Sequence, residues 1–244
     1  MKELRKQLDK LLSQSGGNEQ KIEDLKTETA VFPFSTEGNI LAYLLATKTI
    51  TYDKYMELYH EYAKRNQYLE LFDMAPRTFG ETWGEKHILG LFPEFVKATK
   101  ENILSIYPEF DGEFDLWIEG VRVEVKACRA NSIKNGGSLS SRAYMHSEAT
   151  THSFKYHDQQ LKPSCCDVFI WIGVCRDDLL YWVLTSDELL ETGKLGPQHR
   201  NENTGVAGAG VFEGQVFMTE EELRTFLVAE KDVLNVVKRK GKKE

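Results

Sequence analysis

Residues 121–127, Val-Arg-Val-Glu-Val-Lys-Ala, alternate apolar and charged side chains without a break. A period of two over this length fits a half-buried strand and no helix. Val121, Val123 and Val125 belong to one face, which wants a core; Arg122, Glu124 and Lys126 belong to the other. Glu119-Gly120, just before, is a two-residue loop of the kind that closes a hairpin, and 115–118, Asp-Leu-Trp-Ile, reads as the first strand. This loop sets the register: Ile118 opposes Val121, Trp117 opposes Arg122, Leu116 opposes Val123 and Asp115 opposes Glu124. Directly opposed Cβ atoms lie roughly 4.5–5.5 Å apart, so two like charges there are destabilising unless something neutralises them. Carboxylate oxygens are natural ligands for Mg2+. Lys126, two residues beyond Glu124 on the same face, can reach a phosphate or an attacking water. A slip of one residue would separate the two acids onto opposite faces.

A third acid stands out on different grounds. Residues 78–92 read as a helix starting near Thr78, with Thr78 and Glu81 spaced as a capping box. Glu85 falls in register with Ile88, Leu89 and Phe92, and an acid on an apolar stripe must be paired or bind a metal.

Asp115 followed by Glu124-Val125-Lys126, on a hairpin, resembles the PD-(D/E)xK nuclease superfamily. Phe114 stands where the family name has proline. The resemblance covers roughly residues 77–184. It implies that Asp115 and Glu124 bind Mg2+, that Lys126 assists the nucleophilic water in phosphodiester hydrolysis, and that the preceding helix supplies a further metal ligand, Glu85, or else Glu81 one turn earlier. It also implies an α/β fold, a central mixed β-sheet flanked by helices as in restriction endonucleases, here with a helical N-terminal extension. The expectation is a helical region over 1–75 and a nuclease core with polar recognition loops and a C-terminal helix over 76–244. The whole is most like a type II restriction endonuclease acting on double-stranded DNA, in which two copies commonly pair to cut both strands. A repair or recombination nuclease, a nuclease for RNA or branched DNA, and a non-catalytic binding module of the same fold are the alternatives.

Other stretches are placed around this centre. Residues 1–13 repeat Leu4, Leu8, Leu11 and Leu12 at helical spacing, for packing or self-association. Helices are expected over 39–46 and from Thr51 or Asp53 to about 72; the latter carries Tyr52, Tyr55, Met56, Tyr59 and Tyr62 as a core-facing stripe rather than a platform for bases. Residues 103–107 are expected as a strand. The polar, basic stretch 129–153 leaves the end of the Lys126 strand, where recognition loops belong. Arg129, Arg142 and Asn131, with Arg200 in a later Gly-rich loop (196–214), are the candidate DNA contacts. His199 in that loop is read as solvent-exposed. Residues 154–161 read as helical, 167–174 as a strand buried on both faces, 180–184 as its return, and 186–193 as a short helix ending at Gly193. A strand at 215–218 precedes a helix from Thr219 to about 237 and a basic tail, 238–243.

The net charge of −7 argues against a protein that coats nucleic acid, and leaves local distribution as the test. No run of about 18 apolar residues suggests a membrane span, and the start of the chain reads as a polar helix, so a cytoplasmic protein is expected. The four cysteines show no CxxC spacing and read as free thiols in a reducing compartment.

Overall fold

The computed structural model describes residues 2–14, 16, 36–76, 78–132, 138–147, 155–197 and 212–242. The chain forms two compact units, Met1–Gln67 and Tyr68–Glu244.

The first unit is helical: α1 (Lys2–Gln14), α2 (Thr36–Ala46) and α3 (Tyr52–Arg65). Leu8 and Leu12 of α1 pack with Ile40, Leu41 and Leu44 of α2, Ile50, and Leu58 of α3. The leucine stripe of α1 thus has a use inside the unit. Thr51 caps α3 by accepting from the Lys54 N–H, and the helix ends at Arg65, where the Asn66 N–H turns back to the Ala63 carbonyl. The expected continuation to residue 72 is therefore corrected; residues 69–72 form a separate 3-10 turn in the second unit. The tyrosine stripe is corrected too. Leu58 takes the core position, with Tyr55 and Tyr62 flanking it, while Tyr52 and Tyr59 stand 64% and 47% exposed. Residues 55, 58 and 62 share one helical face, so 52 and 59 fall off it; the rings stack along the surface instead, Tyr52 on Tyr55 at 6.3 Å and Tyr55 on Tyr59 at 6.2 Å.

The second unit is mixed α/β. In chain order it contains a π-helical turn (Thr78–Gly84), α4 (Glu85–Leu91), β1 (Val96–Lys97), α5 (Lys100–Ile103), β2 (Leu116–Ile118), β3 (Val121–Arg129), β4 (Lys155–Leu161), β5 (Val168–Val174), β6 (Leu179–Thr185), α6 (Ser186–Glu191), β7 (Gly196–Pro197), β8 (Gly214–Thr219), α7 (Glu220–Leu223), β9 (Leu227–Val228) and α8 (Val233–Gly241). A six-stranded sheet runs β1-β2-β3-β5-β6-β9, and a three-stranded sheet runs β4-β8-β7. In the larger sheet β3 and β5 are parallel; its other neighbours are antiparallel. Glu119 and Gly120 both have positive φ, 47° and 91°, the backbone of the tight turn whose twist matches paired strands.

Both faces of the larger sheet are covered. The Val121, Val123 and Val125 face packs with Ile170 and Ile172 of β5 against Ile88 and Phe92 on one side and Val233 and Val237 of α8 on the other. Gly241 lies so close to Val121 that a Cβ there would sit 2.3 Å from it. The opposite face carries Phe169, Trp171, Trp182 and Leu184, covered by Tyr156 of β4, Val216 and Met218 of β8, Ile103 and Leu189. Every residue of β5 is buried, as its unbroken apolar sequence requires. Among the described residues no helix is long and apolar enough to cross a membrane, and the four cysteines are free.

Three further expectations are corrected. Residues 155–161 are a strand, paired antiparallel with β8; their polarity concealed an alternation that only a partner about 60 residues later reveals. The segment at 103–107 is not a strand: Thr99 caps the short helix α5, and the edge strand comes earlier, at β1. The long C-terminal helix is broken between Leu223 and Val233 by β9, which pairs with Tyr181 and Trp182 of β6. Its basic end is helical and in part ion-paired, Lys238 to Glu119 and Lys240 to Glu188, each at 2.6 Å.

Packing is also tight where the Trp182 ring lies over Gly173: a Cβ there would meet the ring at 2.5 Å. Gly173→Ala is expected to lower stability by about 2 kcal/mol, as overpacked cores do. A lowered urea midpoint with an unchanged slope is the check.

Candidate functional site

The hairpin register places Leu116 opposite Val123, and Asp115 extends it by one residue. Its N–H donates to the Val123 carbonyl at 3.0 Å, and its carboxylate accepts from the Val125 N–H at 2.8 Å. These bonds to the residues on either side of Glu124 tie Asp115 to β3, while the paired register itself runs from Leu116 to Ile118. A third bond, from the Ala98 N–H to the Asp115 carbonyl at 2.8 Å, locks the same backbone to the edge strand.

Glu124 and Lys126 share the face turned toward the smaller sheet and form an ion pair at 2.6 Å, with side chains only 13% and 19% exposed. Burial raises the Glu124 carboxyl above its usual range and Lys126 opposes this, while Asp115 and Asp158 add to the rise. Burial alone would lower the Lys126 ammonium, but Glu124, Asp115 and Asp158 together outweigh it and raise it further. Lys126 is a fixed cation here.

Glu85 enters from α4. The π turn before it ends at Gly84, which approaches β3 so closely that a Cβ would lie 3.3 Å from the Ala127 Cβ. The next residue is brought down beside the hairpin. Glu85 is 9% exposed and pairs with Lys97 of β1 at 2.9 Å. Burial raises its carboxyl and the Asp115 charge adds to this; Lys97 and Lys126 pull the other way. Thus the charges of Asp115 and Lys126 reach both Glu85 and Glu124. The backbone of Glu81 lies in the π turn; its side chain is outside the described residues.

Asp158 was not foreseen. It lies on β4, and its charge acts on both Glu124 and Lys126. Burial lifts its own carboxyl to about 6, against Lys126, the Gln159 N–H and the Tyr156 hydroxyl, which lower it. The signal was present in Tyr156-x-Asp158, two residues on one face of a strand, and was lost by reading the segment as a helix. Lys97 also went unnoticed.

The expected DNA contacts are spread differently. Arg129 lies over the Phe79 ring at 4.2 Å and donates to the Leu71 carbonyl at 2.8 Å and to the Met74 carbonyl, so its guanidinium holds the 71–74 turn. Asn131 and Arg142 are close: Asn131 bridges to Ala143, and the Ser132 N–H donates to the Arg142 carbonyl at 2.9 Å. Asn131 Nδ2 donates to the Arg129 carbonyl. Asn131 Oδ1 and Arg142 Nε are buried without a hydrogen-bond partner among the described residues. Arg200 and His199 lie outside the described residues.

Four carboxylates (Glu85, Asp115, Glu124, Asp158) and two ammonium groups (Lys97, Lys126) are therefore linked pair by pair, with Asp115 and Lys126 acting on both Glu85 and Glu124, and with an excess of two negative charges when all are ionised. The donors are all oxygens, which suits a hard divalent cation. As they stand, each acid is engaged within the protein, and no group of three or more potential ligands is drawn together among the described residues.

The raised acids predict a pH dependence. Between about 3.8, the ordinary Asp value, and about 6, folded Asp158 keeps a proton that the unfolded chain has released. Its contribution to stability thus falls as pH rises through that window and is level above it. Asp158→Asn should flatten this fall and raise the melting temperature at pH 7.5 by a few degrees, the difference vanishing near pH 4. Melts at several pH values check it; an equal effect at every pH would rule it out. No protein-family model, no curated protein and no solved structure matches this chain.

Proposed function

We propose that this chain is a Mg2+-dependent endodeoxyribonuclease with a restriction-endonuclease-like core of the PD-(D/E)xK kind, acting on double-stranded DNA as type II restriction enzymes do. The observation that supports the reading is that Asp115, Glu124 and Lys126 lie on one hairpin and that the charges of Asp115 and Lys126 reach Glu85 of the adjoining helix, in a little-exposed place with more acids than lysines. A fold has no structural need to gather like charges where water is scarce.

Glu85, Asp115 and Glu124 would hold the cation. When bound, Mg2+ lowers the pKa of a coordinated water and offsets charge developing on the phosphate. Lys126, kept charged by its acidic neighbours, would bind and orient a phosphate oxygen or the attacking water. Asp115, tied to β3 by its own backbone and side chain, would supply the most rigid ligand. Asn131 and Arg142, beyond the end of β3, carry buried polar atoms without partners among the described residues and would have to turn outward to meet the duplex.

One observation favours a second reading, a non-catalytic binding module: Glu124 and Glu85 are each satisfied by a lysine, Lys126 and Lys97. Cleavage of long, unmethylated duplex DNA decides between them. Wild type with Mg2+ should give discrete bands, and EDTA or Lys126→Ala should reduce cleavage by about a hundredfold or more. A smear with the same dependence keeps the chemistry and removes the restriction-enzyme reading. No cleavage, and no Mg2+ effect on the melting temperature of either wild type or Asp115→Ala, favours the binding module.

A further inference from the structure

The nuclease reading asks Glu124 to turn toward a cation, yet Glu124 now holds the Lys126 ammonium at 2.6 Å. A lysine released by its partner would swing on a flexible stem and stop directing its charge. The fold brings a second carboxylate to the same place. Strand β4 crosses β3 here: the His157 N–H donates to Cys128 Sγ at 3.5 Å. The Tyr156 ring stacks on Trp171 at 4.9 Å, and Trp171 is the register partner of Lys126. Residue 158 therefore emerges on the Lys126 side of β4, outside ion-pair distance while Glu124 holds the ammonium, and the two charges act on each other.

The Asp158 carboxylate is itself held. The Tyr156 hydroxyl donates to Oδ2 at 3.0 Å and the Gln159 N–H to Oδ1 at 2.9 Å. Tyr156 is fully buried, so this orientation is set by the core and does not depend on solvent. We propose that Asp158 is a positioning residue, a second anchor that keeps the Lys126 ammonium in place when Glu124 engages a cation. It touches neither the cation nor the substrate; it acts through Lys126. The role rests on the nuclease reading of Glu124, but the anchoring itself can be measured without metal or DNA.

The test uses the full chain labelled with 15N-lysine. A buried, hydrogen-bonded ammonium exchanges slowly and gives a proton–nitrogen signal, identified here by its loss in Lys126→Arg. Glu124→Gln imitates withdrawal of the first anchor at nearly constant shape. The Lys126 signal should survive in Glu124→Gln and disappear in Glu124→Gln/Asp158→Asn. Loss in Glu124→Gln alone, or survival in the double variant, overturns the proposal. In the cleavage assay, Asp158→Asn should lower kcat about tenfold or more with KM for DNA little changed, as expected when a group acts in the transition state alone, and Asp158→Glu should recover part of it. If wild type does not cleave DNA, the nuclease reading falls, and the ammonium signal still decides whether Asp158 anchors Lys126.

Discussion

The Glu124–Lys126 ion pair governs the second unit. Strand β3 runs through the middle of a sheet covered on both faces, so the polar half of its alternation has little water to face. A buried charge is tolerated only with a close partner, and removing one partner leaves the other stranded. The pair meets that demand at 2.6 Å. Around it gather further acids that burial pushes toward their neutral forms. Arg122, next on the same face, is matched by Asp167 with bonds of 2.9 and 3.1 Å. The polar face of β3 is thus a row of compensated charges between two sheets, which explains why strand β4, despite its polarity, belongs against it.

The helix side of the site depends on a different constraint. A regular helix at residues 78–91 would not bring its backbone as near to β3. The π turn widens the helix just before Glu85, and Gly84 removes the side chain that would keep the two backbones apart. π segments cost hydrogen-bond quality and recur at functional positions. Phe79, Trp83, His87 and Tyr181 stack in sequence beside it, at 5.5, 4.9 and 6.0 Å. The Tyr181 hydroxyl donates to Glu230 at 3.0 Å and so accepts from the His87 Nε2–H at 2.6 Å. This aromatic column braces the irregular turn from the core side, while the salt bridge to Lys97 holds the Glu85 carboxylate.

Local information made the hairpin legible. Its alternation, its turn residues and its length all lie within fifteen residues, and the register followed from the turn alone. Glu85 was legible because an acid on an apolar stripe breaks a pattern. What escaped depended on distant partners. Strand β4 shows its alternation only when Tyr156 is seen to enter the core beside Trp171, and its partner β8 is about 60 residues away. Leu58 outranked the tyrosines of α3 because burial favours a wholly apolar side chain over one with a hydroxyl. Arg129 looked like a surface cation, but carbonyls at Leu71 and Met74, on the far side of the sequence, claim its donors.

The contact between Gly241 and Val121 links positions 120 residues apart in sequence. The valine face of β3 is sealed by Val233 and Val237 of the same terminal helix. As the chain leaves the ribosome, the hairpin and its charged residues can therefore form early, but one side of their sheet stays open until residue 241 is available. Contacts of such long sequence separation are slow to form and leave apolar surface exposed meanwhile. The sheet that carries the acids is thus closed late, and removing residues 235–242 would take Val237 and Gly241 off the strand on which the whole site stands.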